Sequence, residues 1–407
     1  MREGVKQIQS EWQNRMDTNY LELKTYKETG ALDAADVKKL QTAAEILRAG
    51  GLVAFPTETV YGLGGNALLK EASRDIYAAK GRPSDNPLIV HIADFDALQP
   101  LVREIPPVAK LLAQKFWPGP LTLIMQKADC VPYETTGGLD TVAIRMPSHP
   151  VARELIRLAG VPVAAPSANT SGRPSPTTAG HCLVDLSGKI AAVVDGGSCS
   201  IGVESTIVDV SGEEPTLLRP GAITIEMLQE ALRSAVEVDP AVETPEAPNQ
   251  HPKAPGMKYR HYAPKAPMVI IQSAFYQSED GVEDGLRLLE ELHRVAGTAR
   301  ALADEQLAAG KRVGIICSDE TFPYYFPEGQ DVPLPADRHY SDGKLELYSI
   351  GSRQDERSIA HNLFALLREM DEKAVDYIIA EGVDQKKLGY AIMNRMRKAA
   401  GQHILYV

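Results

Sequence analysis

Phe55-Pro-Thr-Glu-Thr-Val-Tyr-Gly-Leu-Gly-Gly-Asn-Ala67 (FPTETVYGLGGNA) is the stretch on which the reading of this chain turns. The apolar run Leu52–Phe55 enters it as a strand, and Pro56 ends that strand because proline removes a backbone donor. Thr57, Thr59, Gly62, Gly64 and Gly65 then read as a loop. Glycines let the backbone approach a ligand or turn with positive φ. The threonine hydroxyls sit at the carboxyl end of a strand, where open α/β sheets usually bind ligands. Just upstream, Val37, Leu40, Ala44 and Leu47 recur at helical spacing behind a cap at Asp33 or Asp36, and Gly50-Gly51 stops the helix. A helix feeding a strand with a ligand-type loop points to an α/β fold.

Working outward, strands are expected at Tyr20–Leu23, Leu88–Ile92, Leu121–Met125, Val142–Arg145, Val161–Ala165, Ala192–Val194, Thr206–Val210 and Thr216–Leu218. Helices are expected at 70–79, 106–115, 149–159 and 224–234. This mixture suggests one twisted mixed sheet with helices packed on it, over 35–236, behind an N-terminal extension at 1–34. Residues 1–30 are polar and weakly patterned, and Met16 reads as an alternative start because the strand at Tyr20–Leu23 follows just behind it. Residues 237–267 carry a proline about every four positions and read as a linker. From 268 to 407, strands at 268–272, 313–317, 345–350, 377–380 and 403–406 alternate with helices at 281–309, 355–370 and 386–399, the pattern of a smaller Rossmann-like parallel sheet. Its first strand is not followed by G-x-G-x-x-G, so it lacks the dinucleotide fingerprint.

The net charge is −11, divided as −4 up to Lys265 and −7 beyond it. Neither part is basic, which argues against a dominant nucleic-acid surface. No apolar run approaches the roughly 18–20 residues of a membrane span, and MREGVKQIQSEWQNRM has no apolar core for a secretory signal. A cytoplasmic protein is expected. Cys130, Cys182, Cys199 and Cys317 form no C-x-x-C pair and have no histidine at ligand spacing. They read as reduced thiols, and no metal site is expected.

Four further segments carry chemistry. In AKGRPSDNPLIVHI (Ala78–Ile92), Lys80 and Arg82 lie two apart and would project to one side of an irregular backbone, where two cations suit a polyphosphate. Asn86 and His91 flank the strand that follows. In PVAAPSANTSG (Pro162–Gly172), an apolar strand ending at Ala165 breaks into a loop with Ser167 and Asn169, and Ser175 follows. Hydroxyls and amides of this kind suit phosphate oxygens or a nucleoside. Thr141–Pro147 places Arg145 in an apolar strand, where it needs an anionic partner such as a substrate carboxylate. GVESTIVD (Gly202–Asp209) and LRPG (Leu218–Gly221) add Ser205 and Arg219 at strand ends. The linker segment PGMKYRHYAP gathers Lys258, Tyr259, Arg260, His261 and Tyr262, more than a spacer requires. No Walker A motif, G-x-S-x-G elbow, H-E-x-x-H or kinase signature is present.

Together, and in this order, these motifs resemble the YrdC-like family of threonylcarbamoyl-AMP synthases in its two-domain form. The resemblance implies an enzyme that joins L-threonine, bicarbonate and ATP into threonylcarbamoyl-AMP and releases pyrophosphate, for threonylcarbamoyladenosine in tRNA. It implies a cavity over which the linker closes as a lid. Thr59, His91, Arg145, Ser205 and the Ala165 backbone would contact threonine. Arg82, Asn86, Thr141, Ser167, Ser175, Arg219 and His261 would contact ATP. Lys80, Arg82, Ser167 and Asn169 would form the catalytic set, and Mg²⁺ would accompany the triphosphate. A downstream threonylcarbamoyl transferase is the implied partner, and tRNA binding is left open. Two other readings use the same cationic cavity. One is an RNA-binding or ribosome-associated module; the other is a carbamoyltransferase that adenylates carbamoyl phosphate.

Overall fold

A computed structural model describes residues 17–243, 252–256, 261–274, 285–326 and 335–407. Met16 and the linker residues Lys258, Tyr259 and Arg260 lie outside the described residues, as do residues 281–284 of the long expected helix.

Eleven strands form the larger sheet among the described residues: β1 (Asn19–Glu22), β2 (Val53–Phe55), β3 (Gly62–Asn66), β4 (Ile89–His91), β5 (Leu121–Gln126), β6 (Thr141–Arg145), β7 (Val163–Ala164), β8 (Ala192–Asp195), β9 (Thr206–Asp209), β10 (Thr216–Arg219) and β11 (Glu237–Val238). Their order is β1-β8-β2-β3-β7-β4-β6-β5-β9-β10-β11, with parallel and antiparallel neighbours mixed. The helix α1 (Ala34–Arg48) starts where the Asp33 side chain accepts the Asp36 N–H at 2.8 Å. It buries Leu40, Ala43, Ala44 and Leu47 against Val151, Ala152, Leu155 and Ile156 of α3 (Pro150–Ala159). Val37 stays half-buried at the edge of that face.

The glycine-rich stretch is not the expected loop. Gly62–Asn66 is β3, paired antiparallel to β2 across the tight turn 56–61, and none of Gly62, Gly64 and Gly65 has positive φ. Close packing is the reason for glycine here. A Cβ on Gly64 would lie 2.8 Å from the Phe55 ring and 3.0 Å from Val163, and one on Gly65 would lie 3.1 Å from Ile76. Those distances are tighter than packed interiors tolerate without movement. Two short strands also escaped the sequence pattern: β11, which begins the stretch read as linker and pairs with β10, and β14 (His339–Ser341).

The smaller sheet runs β14-β15-β13-β16-β12-β17, with β12 (Met268–Gln272), β13 (Val313–Cys317), β15 (Leu345–Ser349), β16 (Tyr377–Glu381) and β17 (Ile404–Tyr406). It is parallel throughout except for β14. Helix α4 (Gly285–Ala308) covers one face. Helices α5 (Glu356–Glu372) and α6 (Lys387–Ala399) cover the other and also meet the larger sheet's unit. Val60 and Val203 share an apolar cluster with Ala360, Leu363 and Phe364. Gly202, at φ +86°, lets the chain pass so close to α5 that a Cβ there would sit 2.4 Å from the Ala360 carbonyl oxygen. Buried Arg368 of α5 donates to Asp185 at 2.9 Å and to the Pro174 carbonyl at 2.6 Å, so α5 also grips the loop before residue 175.

Candidate active site

The site lies across a face of the larger sheet rather than in a crevice at strand ends. Strand register places His91 beside Arg145, Arg145 beside Thr122, Thr122 beside Ile207, and Ile207 beside Arg219, across β4, β6, β5, β9 and β10. Residues in register on neighbouring strands project from the same face, so one row delivers a histidine and two arginines to one place. A partly open cavity lies over this row. Its floor includes Ile89, which packs with Ile124, Ala143 and Ile207. One wall is the turn at Thr57, Thr59 and Val60 with Gly62; another is Ala165–Ser167; the far side is Glu204, Ser205, Pro255, Gly256, His261 and Tyr262.

The hydroxyls of the turn are ordered by their donors. Thr57 Oγ1 donates to the Val60 carbonyl at 2.6 Å, so its 2.9 Å contact with Thr59 Oγ1 runs from the Thr59 hydroxyl. Thr59 in turn accepts from Arg145 Nη1 at 2.9 Å. The anion that Arg145 requires is supplied within the protein, because Glu58 Oε1 lies 2.6 Å from Arg145 Nη2 with both side chains buried. Burial acts to raise the Glu58 pKa, but the Arg145 charge overcomes it and holds the carboxyl below its ordinary value. Beside this pair, His91 is pushed down to about 3 by burial and by Arg145, so its ring is neutral. Nδ1 lies 3.1 Å from the Ile89 carbonyl, which can only accept, so Nδ1 carries the proton and Nε2 keeps a lone pair.

On the opposite wall Arg219 is buried and holds its own fork in place. Nε donates to the Ser205 carbonyl at 3.0 Å, Nη2 to Ser205 Oγ at 3.1 Å and Nη1 to the Pro255 carbonyl at 3.2 Å. Ser205 Oγ also meets Thr122 Oγ1 at 2.8 Å. Glu204 is the one carboxylate lining the cavity among the described residues, and it accepts from Ser175 Oγ at 2.6 Å. Burial acts to raise its pKa, but Arg395 and Arg219 draw it down to about 2. Arg82 lines the cavity with Nη2 3.2 Å from the Pro87 carbonyl, while its buried Nε has no hydrogen-bond partner. Burial lowers both Arg82 and Arg219 to about 10, which leaves each charged at neutral pH. His261 is half-buried, lowered to about 3 chiefly by the protein packed around it, and meets the Tyr262 ring edge-on at 4.1 Å. Tyr262 stacks on Phe364 of α5 at 5.0 Å, which anchors this end of the linker to the smaller domain's helix.

Lys80 and Arg82, expected to converge, are near enough for the Arg82 charge to lower the Lys80 pKa, but only Arg82 lines the cavity. Lys80 is the last residue of α2 (Lys70–Lys80), and Gly81 in the left-handed conformation turns the chain before Arg82. The buried Lys80 ammonium donates to the Ser167 carbonyl, to the Asn169 carbonyl at 2.6 Å and to Asn169 Oδ1 at 3.4 Å. It therefore sits beneath the Ser167–Asn169 loop, and burial lowers its pKa well below the ordinary lysine value. Asn169 Nδ2 secures the loop further through the Thr170 and Arg173 carbonyls. Asn86 stands behind Arg82, its carbonyl accepting Tyr77 Oη at 3.0 Å and its Oδ1 without a partner. Ser175 stands behind Glu204. Thr141, at the opposite end of β6 from Arg145, is about 13 Å along the strand and does not line the cavity.

Glu58 and Glu204 were not picked out from the sequence, and Thr57 and Tyr262 were noted there only as members of their segments, without a contact assigned. A charge argument points to the two acids: three arginines in apolar contexts cannot be buried without anions.

Two family models match in tandem. One, of the Sua5, YciO and YrdC proteins and described as "Telomere recombination", matches residues 45–221. The other, described as "Threonylcarbamoyl-AMP synthase, C-terminal domain", matches residues 223–401. The chain is 45% identical over 369 residues to the threonylcarbamoyl-AMP synthase of Pyrococcus abyssi, spanning 91% of this chain and 96% of that protein. It is 44% identical over 368 residues to that of Bacillus subtilis, spanning 90% and 94%. The crystal structure of P. abyssi Sua5 complexed with L-threonine superposes with a TM-score of 0.79 at 42% identity, covering 96% of this chain and 99% of that one.

Proposed function

The chain belongs to the threonylcarbamoyl-AMP synthase family, and from that premise we propose that its cavity joins L-threonine, bicarbonate and ATP into threonylcarbamoyl-AMP with release of pyrophosphate. The observation that carries the reading is that three buried guanidiniums, Arg82, Arg145 and Arg219, border one cavity with a single lining carboxylate. Arg145 has Glu58 as its counter-ion, but among the described residues no carboxylate is in ion-pair contact with Arg82 or Arg219, and burying charged donors short of partners costs stability. An anionic ligand recovers that cost, and a nucleoside triphosphate beside an amino acid supplies anions for both ends.

In this reading, Arg145, Thr59, Ser205 and the Ala165 backbone hold threonine, and neutral His91 offers Nε2 as an acceptor. Arg82, Ser167, Arg219 and His261 hold the nucleotide. Asn86 and Ser175 act from behind, through Arg82 and Glu204. Lys80 and Asn169 set the loop that presents Ser167. Thr141 as an ATP contact rests on the motif alone. The threonine amine attacks carbon dioxide derived from bicarbonate and, on losing a proton, becomes N-carboxythreonine. A carbamate oxygen then attacks the α-phosphorus, and the bond to the β-phosphate oxygen breaks, releasing pyrophosphate. No side chain needs to become a nucleophile, so the protein's contribution is orientation and fixed positive charge. Among the described residues no group of three or more His, Cys, Asp or Glu is placed to hold a metal ion, so Mg²⁺ would enter on the triphosphate's own oxygens.

The product would feed a downstream transferase acting on tRNA in the cytoplasm. No helix among the described residues is long and apolar enough to cross a membrane. The test is pyrophosphate release by the full chain. Release that needs threonine, bicarbonate and ATP together supports the reading. Turnover with carbamoyl phosphate in place of threonine and bicarbonate favours the carbamoyltransferase, and salt-dependent RNA affinity without turnover favours an RNA-binding module.

A further inference from the structure

Helix α6 backs the cavity from the smaller domain. Three of its side chains reach across: Asn394 Nδ2 donates to the Val242 carbonyl at 2.9 Å, Lys398 Nζ to the Gly256 carbonyl at 2.5 Å, and Arg395 to the wall between them. Arg395 is completely buried. Its Nε lies 3.1 Å from Glu204 Oε2, and its Nη1 donates to the Pro220 carbonyl at 2.6 Å. Glu204 precedes Ser205, and Pro220 follows Arg219. Arg219 grips Ser205 through both its carbonyl and its hydroxyl. The contacts therefore close a ring: Arg395 to Glu204, along the chain to Ser205, across to Arg219, along the chain to Pro220, and back to Arg395.

Stability alone is a poor reason for such an arrangement, because a buried ion pair is often no more stabilising than apolar side chains of the same volume. The ring's charges suggest a different purpose. Glu204 is one anion between two guanidiniums, yet its ion pair is with Arg395, while every hydrogen bond of Arg219 goes to a neutral carbonyl or hydroxyl. Arg219 thus faces the cavity with Glu204 near enough to be felt but with no carboxylate in direct contact among the described residues.

We propose that Arg395 is a positioning residue: it holds the Glu204 carboxylate away from Arg219, so that Arg219 presents an unquenched charge to an anionic phosphate group of the nucleotide. This rests on the reading above, in which Arg219 faces ATP. Without Arg395, the buried Glu204 carboxylate has Arg219 as its nearest remaining cation and turns to it. The threonine end is built chiefly on Arg145 with its own counter-ion Glu58 and meets the ring only at Ser205, whose hydroxyl Thr122 also holds, so it is disturbed less than the nucleotide end. A structural role for Arg395 would not discriminate between the two substrates; this one does.

The experiment uses the full chain and the variants Arg395→Met, Arg395→Gln and Arg395→Met/Glu204→Gln. Pyrophosphate release is measured over ATP and threonine concentrations, with binding of ATP and of threonine each followed by calorimetry. Loss of a charge-assisted contact is worth about 10–100-fold in affinity. The single variants are expected to raise the KM for ATP at least about tenfold and to leave threonine binding within about twofold. The double variant, with no carboxylate left to quench Arg219, is expected to recover most of the lost ATP affinity. An unchanged KM for ATP in either folded single variant overturns the proposal. So does an equal loss for both substrates that the double variant does not relieve. If neither single variant folds, the charge-balanced double variant decides, and ATP binding lost there counts against the proposal. An unmodified protein that binds neither substrate removes the functional reading itself, which is a separate result.

Discussion

Glu58 and Arg145 are buried together, with the carboxylate 2.6 Å from the guanidinium that the functional reading assigns to the threonine carboxylate. The protein thus keeps its own anion on the arginine, and a substrate must share that arginine with it. Glu58→Gln strips the counter-charge and leaves Arg145 buried and uncompensated, at a cost of about 3–5 kcal/mol in folding stability. The same change frees Arg145 for a second carboxylate. The expected outcome is a lower urea midpoint than the parent's and a larger threonine-induced rise in that midpoint. Equal threonine effects on the two proteins would count against competition at Arg145.

Lys80 and Arg82 are expected to fail differently. Arg82→Ala removes a cavity-lining cation and should reduce pyrophosphate release at least about 100-fold with little change in stability. Lys80→Ala should reduce activity as severely, and in addition cost about 1–3 kcal/mol, because it leaves the Ser167 and Asn169 carbonyls without their donor. Denaturation curves measured beside the activity assay separate the two. A Lys80→Ala protein as stable as the parent would contradict the role of the ammonium beneath the loop.

Acid should weaken the fold well before carboxylates titrate. His91 lies near 3 and His149 and His181 near 4, all lowered chiefly by burial from 6.5. In this window the unfolded chain binds more protons than the native one. Stability is therefore full above pH 6.5 and falls as pH drops towards the folded values. His149 lies outside the cavity lining, against Tyr26. His149→Asn is expected to flatten the dependence of unfolding free energy on pH between about 6.5 and 4 by up to one proton. Urea denaturation at stepped pH tests this, and an unaltered slope would refute it.

Gly202 tests the seam between the two domains. Alanine there must hold φ near +86° and place a methyl 2.4 Å from the Ala360 carbonyl oxygen and 2.5 Å from His361 Cα. Backbone atoms cannot give way as a flexible side chain can. Gly202→Ala is expected to cost about 2–4 kcal/mol and to lower activity by displacing α5. A variant with the parent's denaturation midpoint would show that the seam yields.

Legibility in the sequence followed the range of the interactions. Helix α1 was readable because its cap and its apolar face are local, and the parallel character of the smaller sheet was readable because helices separate most of its strands, whereas its strand order was not. The β3 strand was not, because glycines selected for close packing against Phe55 and Val163 look like glycines selected for a turn. Short β14 and β11 depend on neighbours for their pairing. The candidate site divides in the same way. Motifs brought forward His91, Arg145, Ser205 and Arg219, but the register row that joins five strands is a product of sheet order. Glu58 and Glu204 were missed because a carboxylate's partner is a tertiary fact, and the hold of Lys80 on the Ser167 and Asn169 carbonyls was not legible because it joins residues far apart in the chain.

The buried position of Arg395 also bears on when this protein becomes competent. A ribosome making the chain lays down every cavity-lining residue, from Thr57 to Tyr262, long before it reaches α6. The nascent larger domain can fold while the rest is still being translated. On the proposed role of Arg395, Glu204 would have Arg219 as its neighbour until α6 leaves the exit tunnel and docks, and the half-made chain would not yet grip nucleotide.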